Sequence, residues 1–243
     1  MRSLAAVLAA AMFAVCAAAD SPAPVAPGQD APNRFSPTGE PADEGMNGRC
    51  GVERWGVKTL SDPDAASVDF ADVVDTSVHA LITNPPQSPW SASQYPADQR
   101  TLSGPYSEVT VYRIHGLMTE ARREADHDYH AVIMDPNTSE TMIVEFPDPA
   151  CPGADSSAYS SALASSRAQF EAMFGAAPSY PGVLKPNPPP AVVVTGVRFF
   201  DPIHGQDGVA PNGVELHPAL SIAADAPLAS PVPTVLPAPA PAP

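Results

Sequence analysis

The chain has 243 residues, 12 basic and 27 acidic side chains, and a formal net charge of −15. Lysine occurs only at Lys58 and Lys185. Such a surface cannot neutralise many phosphates, so nucleic acid is a disfavoured partner, and the acidity favours solubility outside a cell.

Residues 1–19, MRSLAAVLAAAMFAVCAAA, read as a secretory signal peptide. Arg2 supplies the positive start, Leu4 to Val15 the apolar run and Ala17-Ala18-Ala19 a small-residue cleavage site. The run falls short of the roughly 20 apolar residues of a membrane span, so no span is expected in the mature chain. A lipoprotein cut before Cys16 is the minor alternative, which Phe13-Ala14-Val15 fits poorly. Residues 20–49 are a Pro/Ala-rich linker, and 223–243 end in PLASPVPTVLPAPAPAP; both lack the apolar residues for a core and are expected to be disordered. The localisation expected is therefore secreted, extracellular or periplasmic. Cleavage after Ala19 leaves Cys50 and Cys151, an even count that argues for a disulfide in an oxidising compartment. It would close a loop of about 100 residues, worth in principle about 4 to 5 kcal/mol.

Residues 50–222 suit a single domain. Cys50 to Thr59 looks like an N-terminal strand or extended cover. Residues 61–83 are ambiguous: Asp62-Pro63-Asp64 suits a helix start, and Val78, Leu81 and Ile82 have helical spacing. A proline-rich connection follows at 84–105. Glu108 to Ala121 alternates, with Val109, Val111, Arg113, His115 and Leu117 on one face and Thr110, Tyr112, Ile114 and Gly116 on the other. It is long for one strand, and Gly116 marks a bend or bulge. Asp128–Asp135 and Glu140–Phe146 form a hairpin around the turn Pro136-Asn137-Thr138-Ser139. Ser156–Phe174 is helical and stops at Gly175. Strands at Ala191–Asp201 and Gly213–Ile222 complete the order βββ-α-ββ. That order predicts a mainly β fold, an OB-fold-like five-stranded barrel with an N-terminal extension; an open α+β sheet is the rival.

Chemistry-bearing residues gather in three places. The loop after Asp201 carries His204, Gly205, Gln206, Asp207, Gly208, Asn212 and Gly213, where glycines permit positive φ and polar groups can meet a ligand. His204, Gln206, Asp207 and Asn212 are the candidate ligand-binding residues. Glu215 and His217 then share one strand face and, with His204 and His130, could hold a divalent metal or act as an acid/base pair. A structural reading sets these histidines to bonding loop carbonyls. The run Glu124-Ala125-Asp126-His127-Asp128-Tyr129-His130 is the third place. Asn137 stands where an EF-hand needs its glutamate, which rejects that motif. No nucleophile elbow, P-loop, dinucleotide fingerprint or zincin pattern occurs, so no catalytic set is assigned.

From Cys50 to Ile222, the segments CGVERWGVKT, DHDYHAVIMD, TMIVEFPDPAC and GVRFFDPIHGQDGVAPNGVELHPALSI resemble a family of secreted bacterial proteins with an OB-fold-like domain. The resemblance implies domain extent and export, and carries over no catalytic residue. The expectation is a secreted binding or structural module for a cell-envelope or extracellular partner, with no cofactor. Its ligand would meet the 202–213 loop and the 123–130 turn. The alternative is a metal-dependent hydrolase using His130, His204, Glu215 and His217.

Overall fold

The computed structural model describes residues 50–51, 53–85 and 99–226. The expected signal peptide (1–19) and linker (20–49), and residues 227–243 of the expected tail, lie outside the described residues. The elements are α1 (Trp55–Lys58), β1 (Asp69–Thr76), α2 (Val78–Thr83), β2 (Thr110–Arg123), β3 (Tyr129–Met134), β4 (Thr141–Phe146), α3 (Ser160–Phe174), β5 (Ala191–Phe200) and β6 (Val214–Ala224). The sheet order is β1-β2-β3-β4-β6-β5, and β2 also pairs with β5. Strands β2 to β6 therefore close into a five-stranded barrel. Every neighbouring pair in the barrel is antiparallel except β4–β6, and α3 stands between the third and fourth barrel strands. This is the OB-fold-like arrangement that the element order predicts.

Closure depends on β2, which runs for 14 residues. Its first half pairs with β5 and its second half with β3. The register shifts between Met118 and Glu120. Gly116 serves a different end from a bend: a Cβ there would lie 2.5 Å from Ile133 Cγ2 and 2.8 Å from the Met134 carbonyl oxygen. The barrel interior takes Ile114 and Met118 from β2, Ala131 and Ile133 from β3, Met142 and Val144 from β4, and Val194 and Leu216 from β5 and β6. Both faces of β2 are used: Val111 packs on the opposite side with Leu60, Val68, Leu163 and Val197. Helix α3 closes one end through Phe170, whose ring lies 5.2 Å from those of Tyr129 and Phe146. Arg167 lies over the Tyr129 ring at 3.4 Å and donates to the Phe146 and His127 carbonyls at 2.9 Å each. Gly175, at φ 75°, ends the helix where the sequence predicts.

The N-terminal part differs from expectation. Residues 50–59 contain the short helix α1 rather than a strand, and the ambiguous stretch supplies β1, which runs parallel to β2. Tertiary bonds select this conformation. Arg54, at φ 47°, buries its guanidinium and donates to Glu108 Oε1 and Oε2 at 2.8 and 2.7 Å and to the Phe200 carbonyl at 3.0 Å. Arg100 bonds the Glu108 carbonyl and Asp62 Oδ2 at 2.8 and 2.9 Å. The Cys50–Cys151 disulfide, spanning 101 positions, fastens the start of this cover to the segment after β4. Removing one partner of a buried, forked ion pair leaves the other charge stranded. Replacing Arg54 with Met should therefore cost about 3–5 kcal/mol in urea unfolding, and the double change Arg54→Met/Glu108→Leu should recover part of that loss.

The β3–β4 hairpin is held by Asp135. Its Oδ1 accepts from Asn137 and Thr138 backbone amides at 2.8 and 3.3 Å, and its Oδ2 from that of His79 at 3.2 Å. Burial alone would raise this carboxyl's pKa, but the three donors together outweigh burial and hold it below the usual value. A depressed folded pKa contributes stability above the unfolded value, about 3.9, and loses it as pH falls through the folded one. Asp135→Asn should thus be destabilising at pH 7, with the difference from the native chain shrinking below about pH 4 in thermal melts.

Candidate functional site

Leu216 and Val214 fill the core, so Glu215 and His217 face the outside of the barrel, as alternation along β6 requires. On β3 and β4 the same rule turns His130 and Glu145 outward, beside the core residues Ala131 and Val144. The parallel register Ile143↔Glu215 and Val144↔Leu216 then brings Glu145 alongside His217. His217 Nδ1 lies 3.1 Å from Glu145 Oε2, and its Nε2 lies 3.4 Å from Asp128 Oδ2 in the turn before β3. Glu145 Oε1 meets His130 Nδ1 at 3.0 Å, and His130 Nε2 meets the Asp207 carbonyl at 2.9 Å. A carbonyl oxygen only accepts, so in this contact it is Nε2 that donates.

The result is a buried chain, Asp128–His217–Glu145–His130–Asp207, alternating acid and imidazole until it ends on backbone. Side-chain exposure is 0% for His217, Asp128 and His130 and 12% for Glu145. Burial pushes the His130 pKa down, an effect that Glu124 only partly offsets. Burial also works against the charge of Arg122, but Glu124 and Asp207 outweigh it and push that pKa up. The His217 ring packs edge-on against Phe199 at 5.5 Å, and Arg54 covers that ring at 4.6 Å.

The loop from Asp201 to Gly213 folds over this layer. Gly208, at φ 81°, would place a Cβ 2.5 Å from Val132 Cγ1, and Gly213, at φ 72°, one 2.5 Å from the Asp201 carbonyl oxygen. Gln206 is buried and donates to Asp201 Oδ2 at 3.0 Å and to the Pro202 carbonyl at 3.1 Å, while accepting from the His204 amide at 3.0 Å. Asn212 is buried too. Its Nδ2 donates to the Leu81 and Pro85 carbonyls at 2.8 and 2.9 Å, and its Oδ1 accepts from the Val214 amide at 3.1 Å. Asp207 stands outward with its side chain 66% exposed and accepts from Arg122 at 2.6 Å.

Of the residues chosen from the sequence, His130 and His217 meet through Glu145, whereas His204 turns to Asp201 at 3.4 Å. Glu215 is buried and opposes Ile143 and Phe199 in register. Among the described residues, two groups of three side chains could hold a metal ion. One is Cys50, Cys151 and His127, whose sulfurs are joined to each other; the other is Asp128, Glu145 and His217. Asp128 belonged to the acidic run noticed in the sequence. Glu145 was missed, and its only signal was an acid among outward positions of a strand otherwise rich in apolar residues.

Replacing Asn212 with Ala strands two buried carbonyls and one amide. It should cost about 1–3 kcal/mol and speed protease cleavage at 203–211, read on a gel time course. Among the described residues no helix is long and apolar enough to cross a membrane. Comparison with protein-family models, with curated proteins and with solved structures finds no match to this chain.

Proposed function

We propose that this chain is an exported, non-enzymatic binding module that presents the 201–213 loop to an extracellular or envelope partner. One observation carries the reading. Gln206 and Asn212 brace the loop from beneath, while Ile203 (45% exposed) and Asp207 stand on its outer edge. A braced loop with an apolar and an acidic tip loses little entropy on binding. The net charge of −15 favours a cationic or neutral polar ligand over nucleic acid. The disulfide and the signal-like start support export.

A metal-dependent hydrolase built on His130, His204, Glu215 and His217 is the weaker reading. His130 and His217 are fully buried, so substrate would reach them only if the loop lifted. Titrations with a basic peptide and with neutral oligosaccharides, followed by amide shifts, decide between them. Shifts confined to 203–211, abolished in Ile203→Asp at an unchanged melting temperature, are the expected outcome. Turnover of an ester, phosphoester or glycoside that disappears in a folded His217→Ala variant would refute the binding-module reading.

A further inference from the structure

We propose that Lys58 and Asp201 are the partners of an intramolecular isopeptide bond, formed with loss of one water. The bond ties the N-terminal cover to the root of the 201–213 loop. Lys58 is one of two lysines in the chain, yet its side chain is only 5% exposed. That of Asp201 is 6% exposed, and Lys58 Nζ stands 3.9 Å from Asp201 Oδ1. Elsewhere the cover uses arginine for its buried pairs, Arg54 with Glu108 at 2.7 Å and Arg100 with Asp62 at 2.9 Å. Arginine suits that task because it keeps its charge and forks onto a carboxylate. A buried lysine gives up its proton readily and becomes a nucleophile. Lysine at this position therefore fits a reacting amine better than a permanent cation.

Both partners are held by their backbones. Lys58 ends α1, and its amide donates to the Arg54 carbonyl at 3.0 Å. The Asp201 amide donates to the Gly213 carbonyl at 2.8 Å. Asp201 Oδ2 accepts from Gln206 Nε2 at 3.0 Å and lies 3.4 Å from His204 Nε2. A fixed donor on Oδ2 suits the oxygen that takes up negative charge, and Oδ1 is then the leaving oxygen. The Phe199 ring lies 5.7 Å from Lys58 Nζ. Glu215 is buried and opposes Phe199 in register, so its side chain shares that face and is placed to carry a proton.

The reacting forms are the neutral amine and the neutral acid, which one proton passing from ammonium to carboxylate produces. Apolar surroundings favour that neutral pair over separated charges. The Nζ lone pair adds to Asp201 Cγ, and the carbonyl π pair moves to Oδ2. The adduct then collapses, the Cγ–Oδ1 bond breaks, and Oδ1 departs as water. One hydrogen of that water is the acid's own; the other comes from Nζ through Glu215, which ends unchanged. The amide keeps one N–H, and no oxidant or reductant takes part. Fixed partners react at a high effective concentration, and exclusion of water protects the amide from hydrolysis. The binding reading of the loop's outer edge stands or falls separately.

The rival arrangement is a lasting Lys58–Asp201 ion pair with no bond. The test uses the full mature chain, unfolded and reduced, in intact and tandem mass spectrometry, with the chain start read from the same fragments. The wild-type chain should be lighter by one water than its sequence with free thiols, and trypsin should leave Lys58 uncut. Fragmentation should show a branched peptide joining the segment around Lys58 to that around Asp201. Lys58→Arg and Asp201→Ala should each regain the water and yield no branched peptide. Glu215→Gln, if folded, should slow the reaction and leave part of the chain at full mass. Full mass in the wild-type chain, with Lys58 cut by trypsin, would overturn the bond. So would a missing water traced to a cyclic imide at Asp207-Gly208. The wild-type measurement decides the matter even if a variant fails to fold.

Discussion

The barrel closes through one parallel seam, β4 against β6, recorded by only two residue pairs, Ile143↔Glu215 and Val144↔Leu216. Its other joints are longer antiparallel ladders. Parallel pairing is somewhat weaker per residue, so a short parallel seam depends on side chains at its flanks. Inside, Val144 and Leu216 meet in the core. Outside, Glu145 and His217 carry the contact one step further at 3.1 Å, and Asp128 draws the preceding turn onto the same point. These groups are shielded from water, so their attraction is strong and the loss of any one is costly.

The shielding comes from the chain itself. OB-type barrels commonly meet ligands on the outer face of their second and third strands and on the loops beside it. Here the 201–213 loop lies on that face: the Asp207 carbonyl reaches His130, and Gly208 sits against Val132. Arg54, from the N-terminal cover, lies over Phe199, which also meets the His217 ring. The cover is held by the Arg54–Glu108 fork and by the disulfide. A partner approaching this side therefore meets the outer edge of the loop first, not the strands.

The polar residues of the loop divide by this geometry. From sequence, His204, Gln206, Asp207 and Asn212 are equivalent, since each is a polar group among glycines. In the fold Gln206 and Asn212 face inward and close backbone bonds, while Asp207 faces water. Buried backbone groups need partners wherever a long loop crosses a barrel end, and side-chain amides can donate and accept at once.

Alternation in 108–121, the hairpin around the turn after Asp135, the glycine stop at Gly175 and the order of the last two strands are local patterns, and each appears in the structure. They were sufficient for the barrel because a period of two and a period of 3.6 residues are written directly in the order of side chains. The pairing of the two cysteines followed from their even number once export was expected. The helix α1, the parallel β1 and the role of Glu145 are different. β1 reads DFADVVDT and is mostly exposed, so no periodicity announces it. α1 depends on Glu108, more than fifty positions away, to receive Arg54. Glu145 finds His217 and His130 only once the parallel seam sets the register. Contacts of this kind are non-local, and register shifts by a single residue would exchange every inward and outward side chain. The sequence could therefore name which residues carry charge, while the closed sheet alone decided which of them meet.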